Sequence, residues 1–159
     1  MEEELTHLVW ERAKHCCEYC QLHQDYSRLT FEIDHVISKK HGGATVAGNL
    51  AVSCFYCNSF KGANIAGRDP HTKKLTPLFN PRRHKWSRHF HWHGPVLAGR
   101  TAIGRTTIAV LDVNEPDAVA IRAALIEADL FPPGRAGITC MAVRNYSYAI
   151  ASGIRKRVA

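Results

Sequence analysis

Phe31-Glu32-Ile33-Asp34-His35-Val36-Ile37 and Cys54-Phe55-Tyr56-Cys57-Asn58-Ser59-Phe60-Lys61-Gly62 are the two stretches on which the fold turns. Around the first, Leu29, Phe31 and Ile33 alternate with Thr30, Glu32 and Asp34. That period of two predicts a half-buried strand over 29–34, with Asp34 on its polar face. Val36 to Gly48 reads as a loop bent at Gly42-Gly43, and Asn49 to Ser53 as a short returning strand. A short helix over about 58–66 is expected to follow the second stretch. Residues 29–66 thus read strand, loop, strand, helix.

The second stretch also holds one of two CxxC pairs: Cys17-Glu18-Tyr19-Cys20 and Cys54-Phe55-Tyr56-Cys57. Tetrahedral zinc takes four soft ligands, and each CxxC turn delivers two thiolates to one point. Cys17, Cys20, Cys54 and Cys57 are therefore candidate ligands of a structural Zn²⁺, closed to solvent ligands. The alternative is four reduced, buried cysteines. Cys16 competes for the first place, but the two-residue gap favours Cys17. Cys140 is remote and reads as a small buried apolar residue. The chain between the pairs is too long for a simple zinc ribbon, so a folded unit lies there.

That unit contains groups suited to phosphodiester hydrolysis. The reaction needs an activated water and positive charge on the phosphate and leaving oxygen. A histidine near its ordinary pKa can accept the water's proton. The Asp34 carboxylate and the Asn58 amide oxygen are hard ligands of the kind Mg²⁺ prefers. The order Asp34-His35, Gly42-Gly43, Asn49-Leu50, then Cys54 through Gly62 as CxxCNxxKG, resembles the HNH endonuclease family over about residues 10–66. The resemblance implies an α+β, ββα-metal nuclease fold. It implies His35 as general base, and Asp34 and Asn58 as holders of a catalytic cation. Asn49 would fix the loop and orient His35. Lys61, one turn from Asn58, would reach a phosphate. Asn58 stands in the family's third, histidine position. Losing that nitrogen ligand shifts the expected cation to Mg²⁺ or Mn²⁺. His41 reads as a loop residue near the phosphate path.

Beyond residue 69 the chain changes character. No Asp or Glu occurs from Pro70 to Leu111, while Lys73, Lys74, Arg82, Arg83, Lys85, Arg88, Arg100 and Arg105 do. Leu78-Phe79-Asn80-Pro81-Arg82, Trp86, His89-Phe90 and Trp92 are similar to the tail of a bacterial HNH subfamily with an LFNPR…W..HF.W stretch. Residues 1–69 are thus read as the nuclease module with its zinc. Residues 70–159 are read as a basic strand-helix extension packed on it, with Arg82, Arg83 and Arg105 as candidate phosphate contacts. Trp86 and Trp92 read as core residues. His89, His91 and His93 read as polar positions on a strand, with a metal site as the alternative.

The coarse secondary structure is a helix over 4–15 burying Leu5, Leu8, Val9 and Ala13. A structureless segment is read over 70–100 and a strand over 101–113. A helix capped by Asn114 is then expected up to Leu130, burying Ala118, Ile121, Leu125 and Ala128. Residues 135–159 carry no clear pattern, and Arg155-Lys156-Arg157 reads as a frayed end.

The net charge of +7 and pI near 9.3 suit a polyanionic partner. No apolar run is long enough to span a bilayer, so no membrane is expected. Met1-Glu2-Glu3-Glu4 lacks the basic start of a secretory signal, which predicts a cytoplasmic protein. The partner implied is DNA. A nuclease acting on RNA, or a non-catalytic zinc module that binds nucleic acid, is the alternative reading. Oligomeric state is not readable.

Overall fold

The computed structural model describes residues 1–133. Cys140 and Arg155-Lys156-Arg157 lie outside the described residues. The architecture is α+β. Antiparallel strands β1 (Glu32–His35) and β2 (Leu50–Ser53) pair with Asp34 opposite Ala51 and His35 opposite Leu50. Helix α2 (Phe55–Lys61) follows β2 at once, completing a ββα unit. Helix α1 (Glu3–Ala13) packs on β2, whose four residues are all buried.

Each element shows which local force decided it. In α1 the covered stripe is Leu5, Val9 and Ala13, spaced by four, with Trp10 beside it. Leu8, expected there, is half exposed. β1 begins at Glu32 rather than Leu29. The Gln24 side chain binds the Leu29 carbonyl and the Phe31 amide, so the backbone before Glu32 is committed elsewhere. Helix α2 starts at Phe55, three residues before the expected start. The Cys54 sulfur accepts the Cys57 amide hydrogen at 3.4 Å and caps it. It ends at Lys61, where Gly62 takes φ 47°.

The segment read as structureless contains short elements. β3 (Ala66–Arg68) pairs with β4 (Leu75–Pro77), and α3 (Trp86–His89) leads into a hairpin of β5 (Phe90–His93) and β6 (Val96–Gly99). Its two-residue turn starts at Gly94, with φ 55°. The expected strand over 101–113 is instead helix α4 (Ala102–Val110). The Thr101 hydroxyl accepts from the Gly104 amide and caps it. Thr107 donates to the Ile103 carbonyl and accepts from the Phe79 amide, both at 2.7 Å. Capping and tertiary hydrogen bonds thus outweigh the modest β-preference of Thr, Ile and Val. A Cβ at Gly104 would overlap the His89 carbonyl, so only glycine lets the helix approach this closely.

Helix α5 spans Pro116–Glu127, and Glu115, not Asn114, caps it. Asn114 instead pairs with both backbone groups of Leu97, as a strand neighbour would. The expected apolar stripe fails as well. Ile121 is exposed, and the residue α5 buries is Arg122. Its guanidinium donates to the Pro95 and Val113 carbonyls and to Asn114 Oδ1, and lies 5.4 Å from the Trp92 ring.

One hydrophobic cluster runs from Val9 in α1 through Leu50 and Val52 to Phe79, Phe90, Leu97 and Val113. Trp86 packs on Phe90 and Trp92, and its indole N–H donates to the Tyr19 carbonyl at 2.9 Å. Both tryptophans therefore sit against the core.

Asp69 is buried in the β3–β4 loop, where its carboxylate takes a two-pronged ion pair from Arg105 at 2.8 and 2.9 Å. Arg105 first, with help from Thr72 and the His71 amide, holds the Asp69 carboxyl well below the usual carboxylate range. A depressed folded-state pKa contributes stability that is complete above the unfolded value of about 3.9 and disappears as pH falls through the folded one. Asp69→Asn should therefore lower the melting temperature by a constant amount from pH 5 to 8, with the gap to wild type narrowing below roughly pH 4. Thermal melts across pH check this. A gap unchanged in strong acid would refute it.

Candidate active site and metal centre

The ββα unit brings three predicted residues to one place. Asp34 and His35 come at the end of β1, and α2 carries Asn58 back over it. The three line one open depression of about 340 Å³, together with Lys39 and Lys40.

His35 is partly exposed, and its Nε2 lies 2.9 Å from Thr45 Oγ1. Partial burial, then the nearby Lys39 cation, lower its pKa, and Asp34 opposes them. The imidazole is thus neutral at pH 7 and able to accept a proton. Among the described residues Asn49 has no hydrogen bond to His35. Its amide binds the Ile37 N–H and the Ile37 and Ala44 carbonyls, each at 2.9 Å. It fixes the loop that carries Thr45, and so reaches His35 at one remove. Gly43 has no room for a side chain there, because a Cβ would overlap the Ile37 carbonyl.

Asp34 is not on a polar face. It is 6% exposed, because α2 and the Cys17–Cys20 turn cover β1 on that side. Oδ1 receives the Lys61 ammonium at 2.9 Å, and Oδ2 receives the Tyr19 hydroxyl at 2.7 Å. Burial pushes the Asp34 carboxyl up, against the pull of Lys61 and Tyr19. Burial and the adjacent Asp34 raise the Tyr19 phenol further, so it remains a donor. Lys61 is 1% exposed and also donates to the His35 carbonyl at 3.0 Å. It does not point at solvent as a phosphate ligand would. A fully buried lysine is tolerated only when paired in this way.

The other candidate phosphate contacts divide. Arg82 forms a half-buried ion pair with Glu18, and Arg105 holds Asp69. Burial, with Arg12 nearby, lowers the Arg82 pKa to about 10. Arg83 is exposed. His41 is exposed in the loop and does not line the depression. His89 ends α3, buried against Thr101 at 2.7 Å, so it is not a strand neighbour of His91 and His93.

Sequence reasoning missed Glu32, Thr45, Tyr19, Lys39 and Lys40. Glu32 could have been found, since it alternates with Asp34 on one strand face, and its carboxylate accepts from Asn58 Nδ2. Tyr19 and Thr45 carry no local signal, because their roles arise only when the chain returns.

The four predicted cysteines converge. Their sulfur atoms lie within 4.8 Å of one another, all buried, and Cys20 and Cys54 are 3.7 Å apart. Tetrahedral zinc with Zn–S bonds near 2.3 Å requires sulfur separations of about 3.8 Å. Sulfurs that also accept the Cys20 and Cys57 amide hydrogens complete a donor set that fits zinc. Among the described residues, this is the one group of three or more His, Cys, Asp or Glu side chains that could hold a metal ion. Cys16 is buried outside it. The oxygens of Asp34 and Asn58 are hard ligands, unlike these sulfurs.

Residues 17–64 match the family model of the HNH endonucleases. This stretch, with its ββα unit and four clustered cysteines, is an HNH endonuclease domain. Over 109 residues the chain is 30% identical to the Septu protein PtuB of Bacillus thuringiensis, a match covering 67% of this chain and 40% of that protein. The chain thus spans well under half the length of that relative. No solved structure matches. No helix among the described residues is long and apolar enough to cross a membrane.

Proposed function

We propose that this protein is a metal-dependent endonuclease that hydrolyses DNA phosphodiester bonds, with His35 as general base. The observation that carries the reading is the convergence of Asp34, His35 and Asn58 on one open, lysine-rimmed depression in an HNH domain. The catalytic cation is Mg²⁺ or Mn²⁺, held through Asn58 and Asp34, and the structural one is Zn²⁺ on the four cysteines. A carboxylate has about four lone-pair sites, so Asp34 retains acceptor capacity beside Lys61 and Tyr19.

In the tautomer whose Nε2–H donates to Thr45, His35 keeps an Nδ1 lone pair for the attacking water. His35 takes the water's proton as its oxygen bonds to phosphorus, and the bond to the leaving oxygen breaks. The divalent cation, when bound, supplies positive charge for the phosphate and the leaving oxygen. Lys39 and Lys40 hold neighbouring phosphates, a role for which Lys61 is too deeply buried. Arg83 extends that grip, and the charge of +7 favours encounter with DNA.

Supercoiled plasmid incubated with the zinc-loaded protein and Mg²⁺ or Mn²⁺ tests this. Nicked or linear product is expected with DNA and not with EDTA. A parallel RNA substrate cut in preference to DNA would replace the substrate assignment. Binding without cutting of either would leave a non-catalytic module.

A further inference from the structure

The charge balance of the depression does not favour a divalent cation as the sequence alone suggested. Asp34 is the carboxylate expected to attract it. Yet the Lys61 ammonium sits 2.9 Å from Asp34 Oδ1, so the pair is neutral as a unit. Lys39 and Lys40 add positive charge around the same opening. Asn58 supplies an amide oxygen but no charge. A site built from these groups alone would carry net positive charge and repel a dication, since Lys61 already offsets Asp34 and, among the described residues, Lys39 and Lys40 have no ion pair.

Glu32 resolves this. It precedes Asp34 by two residues on β1, so both belong to the same strand face. Asp34 is buried, whereas Glu32 is exposed. Among the described residues no ion pair involves Glu32, and its carboxylate accepts from the side-chain amide of Asn58. The Asn58 amide N–H donates to this charged, water-open carboxylate, which puts Glu32 beside the depression that Asn58 lines, and its hard oxygens are of the kind Mg²⁺ and Mn²⁺ bind while keeping most of their own waters.

We propose that Glu32, in contact with Asn58, supplies the unneutralised carboxylate that holds the catalytic divalent cation, while Asp34 is fixed by Lys61 and Tyr19. Asp34 then lends remaining lone pairs and sets the position of His35 through the shared lysine. This rests on the nuclease reading above and assigns that site a ligand the sequence motif did not name.

The test is Mn²⁺ binding to zinc-loaded protein, measured by electron paramagnetic resonance, with plasmid cleavage in parallel. Glu32→Gln keeps an acceptor for the Asn58 amide and removes only the charge. It should weaken Mn²⁺ by more than roughly tenfold, the loss typical of even an outer-sphere partner, and depress cleavage in a way that added Mn²⁺ restores. Its melting temperature should match wild type, since Glu32 is exposed. Mn²⁺ affinity within twofold of wild type in Glu32→Gln would overturn the assignment while wild-type cleavage left the nuclease reading intact. Wild-type protein that neither bound Mn²⁺ nor cut DNA would overturn both.

Discussion

His35→Ala should abolish cleavage of supercoiled plasmid while leaving the melting temperature and DNA binding unchanged. A positioned general base contributes roughly 10²–10⁴-fold, enough to take nicking to background. The fold should be indifferent, because the His35 side chain is partly exposed and bonds only the Thr45 hydroxyl. Lys61 holds the His35 backbone carbonyl, which alanine retains. Retained affinity is expected because Lys39, Lys40 and Arg83 are untouched. Cleavage by His35→Ala within tenfold of wild type would remove His35 from the mechanism.

Removing the zinc should have the broadest effect. Cys57→Ser, or exposure to a strong chelator, should abolish the cooperative melt of the 17–64 domain and, with it, all cleavage. Four buried sulfurs drawn together have no other strong reason to converge. Binding of structural zinc in small modules contributes about 10–16 kcal/mol to the folded state. That is comparable to the whole stability of a typical domain, about 5–15 kcal/mol. The ββα unit has two short strands and one short helix, too little apolar surface to stand alone. Circular dichroism and metal analysis on the same samples check this. A melt unaffected by zinc loss would refute it.

The parts legible in the sequence are those where chemistry fixes both residue type and spacing. Cys17, Cys20, Cys54 and Cys57 were readable because a two-residue gap suits one metal. The strand-loop-strand-helix order was readable because Gly42-Gly43 and Asn49 mark the loop between two apolar runs. Residues whose environment is made by distant segments were not readable. Asp34 looked solvent-facing because alternation reports only one covered face, and β1 is covered on the side the pattern assigned to water. Lys61 looked like a phosphate ligand because burial of an ammonium depends on Asp34, 27 residues away. Residues 102–110 looked like a strand because β-branched composition says nothing of a capping Thr101 or of the Phe79 amide that Thr107 satisfies. Arg122 was invisible for the same reason, since its partners Pro95, Val113 and Asn114 assemble only in three dimensions.

Cys57 and Asn58 are consecutive residues, and Lys61 is one helical turn further on. Two chemistries therefore share a single short helix, with no spacer between the thiolate cluster and the open oxygen site. Length variation is consequently forbidden there: one inserted residue would rotate Asn58 and Lys61 by about 100° relative to Cys57 and separate the two centres. The turns after Gly62 face no such restriction. New target preferences in descendants of this chain would have to be written by lengthening those connections, leaving the seven residues of the helix at constant length.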